Sequence, residues 1–401
     1  MDNQVLLVHH GEIVLKGRKR GYFERLLIGN LEYVLGSGFK ITRDENRLVI
    51  TSVASGLEPA LREIGYVAGV SSYSMALRCS PTIEMIMDTS VKLLSGVSFS
   101  TFAVEAKRSF KGHPFNSMDV KMAVAESLAM EYGARVDYAS PDVRVYVEVT
   151  KKNAYLYREK VSGLGGLPVG SSGRVLMLLS GGVDSALGSL MLIRRGCRLD
   201  YIHFHPHRSG EEALQLKIGE LTKYLTRYGL ESTLYMSDFT PFYKRVFHRT
   251  TRLEIPLFRR YMFVVADRIA GSYGCKALAT GDSLSQVASQ TLANIAAAEQ
   301  SVTRPVLRPL VALDKAEILE QAKSWGILEL AQRDYKDCCS IISRHPTTRA
   351  TAQQVNEMWE KLGLDGAVEE AIRSVMVYRV TLKSGLKRIA AQPMTTARNM
   401  E

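Results

Sequence analysis

The stretch Ser180-Gly181-Gly182-Val183-Asp184-Ser185 has the residue types of an anion cradle. Glycines let the backbone close on a phosphate without an intervening Cβ, and the two serine hydroxyls supply donors. An apolar run, residues 175–179, precedes the loop, and residues 186–195 after it read as a helix ended by Gly196. A helix N-terminus there aims N–H groups and a positive dipole end at the same anion. The Gly-Lys-Ser/Thr of a Walker loop and the Gly-x-Gly-x-x-Gly of a dinucleotide fold are both missing. Asp184 is the carboxylate placed to hold a divalent cation against a phosphate or to orient an attacking oxygen. A second chemically suggestive stretch is Asp337-Cys338-Cys339-Ser340, followed by Arg344, His345 and Pro346. Thiols in a polar, basic setting favour the reactive thiolate.

The elements around the loop alternate strand and helix. Strands are expected at residues 175–179, 200–205, 232–236 and 276–279, and helices at 186–195, 211–228 and 258–273. Such alternation, with a first strand apolar on both faces, predicts a doubly wound parallel sheet. The first part of the chain reads differently. Strands at 5–9, Arg47–Ser52, 101–106, 143–149 and 155–158 alternate with single helices at 22–35 and 119–132, an α+β pattern of at least two small units. The Gly-rich stretch Gly163-Leu164-Gly165-Gly166-Leu167-Pro168-Val169-Gly170-Ser171-Ser172-Gly173 punctuates the two parts.

Composition narrows the class. The 401 residues are 46% hydrophobic and 23% charged, enough for more than one core. No apolar run is long enough to cross a membrane, and Met1-Asp2-Asn3-Gln4 has no features of a secretory leader, so a cytoplasmic protein is expected. Five cysteines, with no C-x-x-C pair, disfavour a disulfide scaffold, a zinc ribbon or a thioredoxin-type redox site, and no metal-ligating residues are expected. A net charge of +11 points to an anionic partner, nucleic acid first among them. Lys16 and Arg20 cluster early in the chain; Lys107, Arg108 and Lys111 cluster later, beside Phe110 and Phe115. Cations next to aromatic faces suit RNA, although a solvated charge run has the same composition.

Several segments together resemble one family. The loop Ser180–Ser185 after its apolar strand looks like the PP-loop of ATP pyrophosphatases, which split ATP between its α- and β-phosphates. His10-Gly11-Glu12-Ile13-Val14-Leu15-Lys16-Gly17 with Arg20 and Phe23, then Ala106-Lys107-Arg108 with Pro114-Phe115-Asn116-Ser117-Met118, and Pro141-Asp142-Val143 are further matches. Thr280-Gly281-Asp282-Ser283-Leu284-Ser285-Gln286-Val287-Ala288-Ser289-Gln290-Thr291-Leu292 resembles a second signature, with Asp282 where Glu is common. Leu307-Arg308-Pro309-Leu310 with Asp314-Lys315 completes the set. In this order they are similar to the ThiI family of tRNA 4-thiouridine synthetases over nearly the whole chain.

The resemblance implies a ferredoxin-like domain at residues 1–55, a THUMP RNA-binding domain at 56–162, a linker at 163–173 and a PP-loop domain at 174–401. It implies ATP and Mg2+, tRNA as substrate, and a homodimer. The expected reaction is adenylation of O4 of the uridine at tRNA position 8, followed by replacement of AMP with persulfide-derived sulfur. Nucleotide contacts carry over to Leu178, Leu179, Ser180, Gly181, Gly182, Ser185, His203, Phe204, Arg259, Gly281 and Gln290. Catalytic roles carry over to Asp184, to Lys315 and, seven residues before Pro346, to Cys339. Lys16, Arg20, Lys107, Arg108 and Lys111 are the RNA-facing expectation. The 55 residues after Pro346 contain no cysteine and are too few for the rhodanese domain of many relatives. A short form is therefore expected, whose sulfur comes from a cysteine desulfurase persulfide or from sulfide. Cys338, Cys197 and Cys275 remain as thiols that could resolve Cys339. The alternative reading is another PP-loop enzyme that adenylates a different tRNA base.

Overall fold

In the computed structural model, which describes residues 3–53, 56–207, 209–247, 252–335, 338, 342 and 347–390, the chain divides into two units, 1–168 and 169–401. Each is taken by itself.

The first unit is built on one nine-stranded sheet. Its elements are β1 (Gln4–His9), a 3-10 segment (Glu12–Lys19), α1 (Arg20–Leu35), β2 (Phe39–Asp44), β3 (Arg47–Ser52), α2 (Glu58–Ile64), β4 (Ser72–Cys79) and α3 (Ile83–Leu94). Then come β5 (Thr101–Arg108), α4 (Ser117–Tyr132), β6 (Arg135–Val136), β7 (Val143–Val149), β8 (Ala154–Tyr157) and β9 (Val161–Ser162). The strand order is β2-β3-β1-β4-β8-β7-β5-β6, with β9 on β4. Alternation along β1 sends Leu6 and Val8 into a core with Leu27 and Leu31 of α1, and Val5 and Leu7 against Tyr155 and Tyr157 on the other face. That first core runs on past residue 55, through Ala60, Ile64, Val67 and Tyr73. A second core forms where Val120, Val124 and Leu128 of α4, one helical turn apart, meet Phe102, Val104 and Val145. Asn116 and Asp119 form a capping box that starts α4.

The Gly-rich stretch is tied down at both ends. Gly163 N–H donates to Ser71 O (3.0 Å) and Gly165 N–H to Val70 O (2.7 Å) in the first unit. Gly170 N–H (2.9 Å) and Ser172 N–H (3.0 Å) both donate to Gly196 O in the second.

The second unit carries β10 (Arg174–Leu178), α5 (Val183–Arg194), β11 (Arg198–His205), α6 (Gly210–Ala213), a π segment (Leu214–Ile218), α7 (Gly219–Gly229) and β12 (Glu231–Asp238). It continues with α8 (Thr240–Val246), α9 (Glu254–Ser272), β13 (Ala277–Ala279), α10 (Leu292–Glu299), β14 (Val306–Leu307), α11 (Lys315–Ser324) and α12 (Leu328–Gln332). Helices Ala352–Lys361 and Leu364–Ser374 precede β15 (Met376–Thr381) and β16 (Gly385–Ile389). The sheet order is β14-β13-β10-β11-β12-β15-β16. The first five strands are parallel, as expected; β15 and β16 add an antiparallel hairpin that the strand-helix alternation did not announce. The single helix expected at 211–228 is three pieces. Its middle turn is widened where Lys217, buried, donates from Nζ to Ala331 O (2.8 Å) and Arg333 O (2.7 Å). In a parallel sheet the carboxyl ends of the strands share one edge, where ligands bind. The loop after β10 lies on that edge.

Candidate active site

β10 ends at Leu178, and the chain turns through Ser180 and Gly181 into α5, with Gly182 as its N-cap residue. Gly181 takes a φ of +89°, a left-handed conformation that favours glycine. The loop is closed by its own serines. Ser180 N–H donates to Ser185 Oγ at 3.2 Å, the two hydroxyls lie 3.1 Å apart, and Ser185 Oγ donates to Gly182 O at 3.1 Å. Gly281, after β13, backs this turn: a Cβ there would lie 2.5 Å from the Asp184 carbonyl carbon and the Ser185 nitrogen. Only a bare backbone approaches so closely.

Asp184 stands in the first turn of α5. Lys315 Nζ reaches its Oδ1 at 2.6 Å, and Gln286 Nε2 donates to its Oδ2 at 2.9 Å. Lys315 opens α11, whose start is fixed by a capping box: Glu317 N–H donates to Asp314 Oδ1 and Asp314 N–H to Glu317 Oε2, each at 2.9 Å. The cation comes from 131 residues downstream of the loop, so only the fold joins them.

A second carboxylate, Asp282, is buried beneath. It accepts from Arg259 (2.5 Å), Thr280 Oγ1 (2.8 Å) and Gln290 Nε2 (3.4 Å). Burial alone would raise its pKa; the Arg259 charge and the Thr280 hydroxyl outweigh that and hold it below the usual carboxylate range. Asp282 therefore aims Arg259, which also lies over the Phe263 ring.

Asp184, Arg259, Thr280, Asp282 and Gln290 line a cavity of about 460 Å³. Ile202, Phe204, Phe258 and Met262 form its apolar wall, and Asp184, Arg259, Asp282 and Gln290 its polar one. A flat apolar slot with a few convergent polar groups is the form of a nucleotide pocket. Among the expected nucleotide contacts, Leu178, Leu179, Ser180 and Ser185 are on the wall, as are Phe204, Arg259, Gly281 and Gln290. Gly181 and Gly182 shape the loop instead. His203 is turned away. Ile202 and Phe204 face the cavity, and strand alternation sends the imidazole between them to the other side. There its Nδ1–H donates to Leu179 O (2.6 Å) and its Nε2 accepts from Tyr335 Oη (2.8 Å). Burial pushes the His203 pKa down to about 3, so the ring is neutral.

Cys338, one of the thiols that could resolve Cys339, lines the cavity and donates from Sγ to Phe204 O at 3.3 Å. Cys339 lies outside the described residues. Among the described residues, Cys79, Cys197, Cys275 and Cys338 are buried thiols rather than disulfides. Burial pushes Cys275 up to about 12 and Cys197 upward. Cys197 precedes the start of β11, whereas Cys338 touches Phe204 at its end. Seven residues of strand, about 23 Å at ~3.3 Å per residue, separate the two levels. A bridge between Cys197 and Cys338 is therefore out of reach. Asp282, Gln286 and Cys338 are the site groups that residue types alone did not assign; the first two lie in the 280–292 signature.

In the first unit, the RNA-facing expectations divide. Lys107 and Lys111 are exposed. Lys16 lies 5.4 Å from the Phe23 ring centre, a cation beside an aromatic face. Arg20 is shared between Glu24 (2.6 Å) and Glu45 O (3.1 Å). Arg108 is a structural clasp: its guanidinium donates to the carbonyls of His113 (3.2 Å) and Phe115 and so shapes the 109–116 loop. That loop presents His113 stacked on Phe115 and Lys151 over Phe110.

The Ser-Gly-Gly-x-Asp-Ser loop at the carboxyl edge of a parallel sheet, backed by Gly281, with Lys315 against its Asp184, is the arrangement of a PP-loop domain. The family comparison extends this to the rest of the chain. The family model described as thiamine biosynthesis protein (ThiI) matches residues 170–364, the ThiI ferredoxin-like domain residues 5–74 and the THUMP domain residues 82–159. A protein from Brevibacillus brevis named as a probable tRNA sulfurtransferase is 35% identical over 391 residues, covering 96% of this chain and 98% of its own. Another of that name from Caldanaerobacter subterraneus is 35% identical over 377 residues, covering 92% and 99%. The chain belongs to the ThiI family. The crystal structure of a 4-thiouridine synthetase–RNA complex with bound ATP superimposes with a TM-score of 0.83 at 29% identity, covering 94% of this chain and all (100%) of that one.

Proposed function

We propose that this protein is an ATP-dependent tRNA sulfurtransferase that makes 4-thiouridine at position 8 of tRNA. The observation that carries the reading is Asp184: a carboxylate at the cavity wall, in the first turn of the loop helix, held by Lys315 and Gln286. ATP enters the cavity with its phosphates at the Ser180–Ser185 loop and its base against the apolar wall. The uridine O4 attacks the α-phosphorus, pyrophosphate leaves and N3 gives up its proton to solvent; hydrosulfide-level sulfur then displaces AMP from C4, and its proton restores N3–H. Lys315 neutralises negative charge as it develops on the transferring phosphoryl group. Arg259, aimed by Asp282, supplies a second fixed cation.

Magnesium fits this site in one way. Among the described residues no group of three or more His, Cys, Asp or Glu is placed to hold a metal. Mg2+ is commonly held by one or two carboxylates together with substrate phosphates, which asks only for Asp184. Bound there, Mg2+ would supply positive charge for the departing pyrophosphate. Lys16, Lys107 and Lys111 are the tRNA contacts of this reading, Cys339 its sulfur-handling thiol, and a persulfide or sulfide its donor. A homodimer acting in the cytoplasm completes it; among the described residues no helix is long and apolar enough to cross a membrane.

Nucleoside mass spectrometry of unmodified tRNA incubated with the protein, Mg-ATP and sulfide tests the proposal. ATP-dependent 4-thiouridine is the expected product. ATP cleavage to AMP on bound tRNA without 4-thiouridine would favour an enzyme of the same chemistry acting on another base.

A further inference from the structure

Gln286 sits in a tightly folded loop after β13. Ser285 before it holds a φ of +61°, an uncommon left-handed conformation for a residue with a Cβ. The turn is pinned by Ser285 N–H to Gln290 O (2.9 Å) and Gln290 N–H to Val287 O (2.9 Å). The Gln286 side chain is thus directed by its backbone. Its Nε2 donates to Asp184 Oδ2 at 2.9 Å. The carboxylate, ion-paired with Lys315, can only accept. That fixes which way the amide points: nitrogen toward Asp184, oxygen away. The oxygen, Oε1, is buried and accepts no hydrogen bond among the described residues. A buried acceptor without a donor is unfavourable, which leaves this atom able to take a donor that arrives from outside.

We propose that Gln286 reads the Watson–Crick edge of the target base, its Oε1 accepting the N3–H of the uracil whose O4 is activated beside Asp184. The inference rests on the uridine-adenylation reading and extends it to base selection. Uracil carries the N3–H donor adjacent to O4. Cytosine presents a lone pair at N3 and an amino group in place of O4, so an acceptor at this position repels it. Single-stranded or extruded bases are commonly read on this edge. Asp184 and Gln286 then act as one unit: the carboxylate fixes the amide, and the amide fixes the pyrimidine ring so that O4 faces the α-phosphorus.

The test uses the full protein and RNA substrates carrying either uridine or 3-deazauridine at the target position. The analogue keeps O4 and replaces N3–H by C–H. Thiolation is read as kcat/KM with Mg-ATP and sulfide. In Gln286→Met the preference for uridine over 3-deazauridine shrinks about tenfold or more relative to the wild type. Gln286→Glu sets a second carboxylate against Asp184, loses the amide's fixed aim and is slower on both substrates. ATP affinity and the thermal midpoint report folding of each variant. An unchanged preference in Gln286→Met, with both rates lowered alike, would mean that Gln286 only supports Asp184 and would overturn the proposal. A wild-type protein that thiolates neither substrate would remove the uridine reading itself, and base reading with it.

Discussion

Glu148 in the first unit and Asp184 in the second are both carboxylates facing cations, and their surroundings differ in what is left over. Glu148 is buried, and both of its oxygens are used: it accepts from Arg47, from His9 Nε2 (3.0 Å) and from Tyr157 Oη (2.7 Å). Burial alone would raise its pKa; the His9, Arg47 and Tyr157 contacts reverse that and hold it far below the ordinary carboxylate range. The cluster ties β7 to β1, β3 and β8. Asp184 has one described donor per oxygen, a side chain 20% exposed, and a cavity beside it. Lys315, its cation, is 49% exposed. A saturated carboxylate holds strands together. An unsaturated one at a cavity is available to a substrate.

The contrast breaks if the two carboxylates respond alike to substitution. Asp184→Asn is expected to have the largest effect: single-turnover thiolation falls by at least ~10³-fold. Affinity for tRNA, measured by filter binding, stays at the wild-type level; its loss would show that Asp184 belongs to RNA binding. Arg47→Met leaves Glu148 buried with a cation removed, and denaturant unfolding of the first unit is expected to lose about 3–5 kcal/mol. ATP affinity remains unchanged in that variant, because the nucleotide site belongs to the second unit. Lys315→Met is expected to lower the adenylation rate about 10²-fold with little change in stability, the response of an exposed, working cation.

A smaller effect appears on acidification. The depressed pKa of Glu148 contributes stability that is present above its ordinary value of 4.5 and lost as pH falls through its folded value. Thermal midpoints of wild type and Glu148→Gln therefore converge as pH falls below that value. Parallel curves would assign the acid sensitivity to other groups.

Much of the fold was legible because it is written in local periodicity. The 175–179 run announced a strand covered on both faces, and Val120, Val124 and Leu128 announced α4. The hairpin β15–β16 escaped, since its place beside β12 is a long-range pairing that no alternation with helices signals. The break in the 211–228 helix escaped for a similar reason: the bonds holding Lys217 reach carbonyls more than a hundred residues on. The loop itself was readable from Ser180 to Ser185, and Lys315 was named by resemblance; Gln286, and the meeting of both side chains at Asp184, were not. Lys315 and Gln286 reach Asp184 from over a hundred residues away. His203 shows the limit of carrying a position over by resemblance. The strand position is at the site, but the pleat turns the imidazole from the cavity toward Tyr335. Arg108 shows the same for the basic clusters, where composition does not distinguish a cation awaiting phosphate from one clasping its own loop.

The most direct measurement follows the oxygen. With RNA carrying ¹⁸O at O4 of the target uridine, incubation with the protein, Mg-ATP and sulfide transfers that atom to phosphorus, and the released AMP carries one ¹⁸O for each 4-thiouridine formed. AMP free of label alongside 4-thiouridine would contradict activation of O4 by adenylation at Asp184.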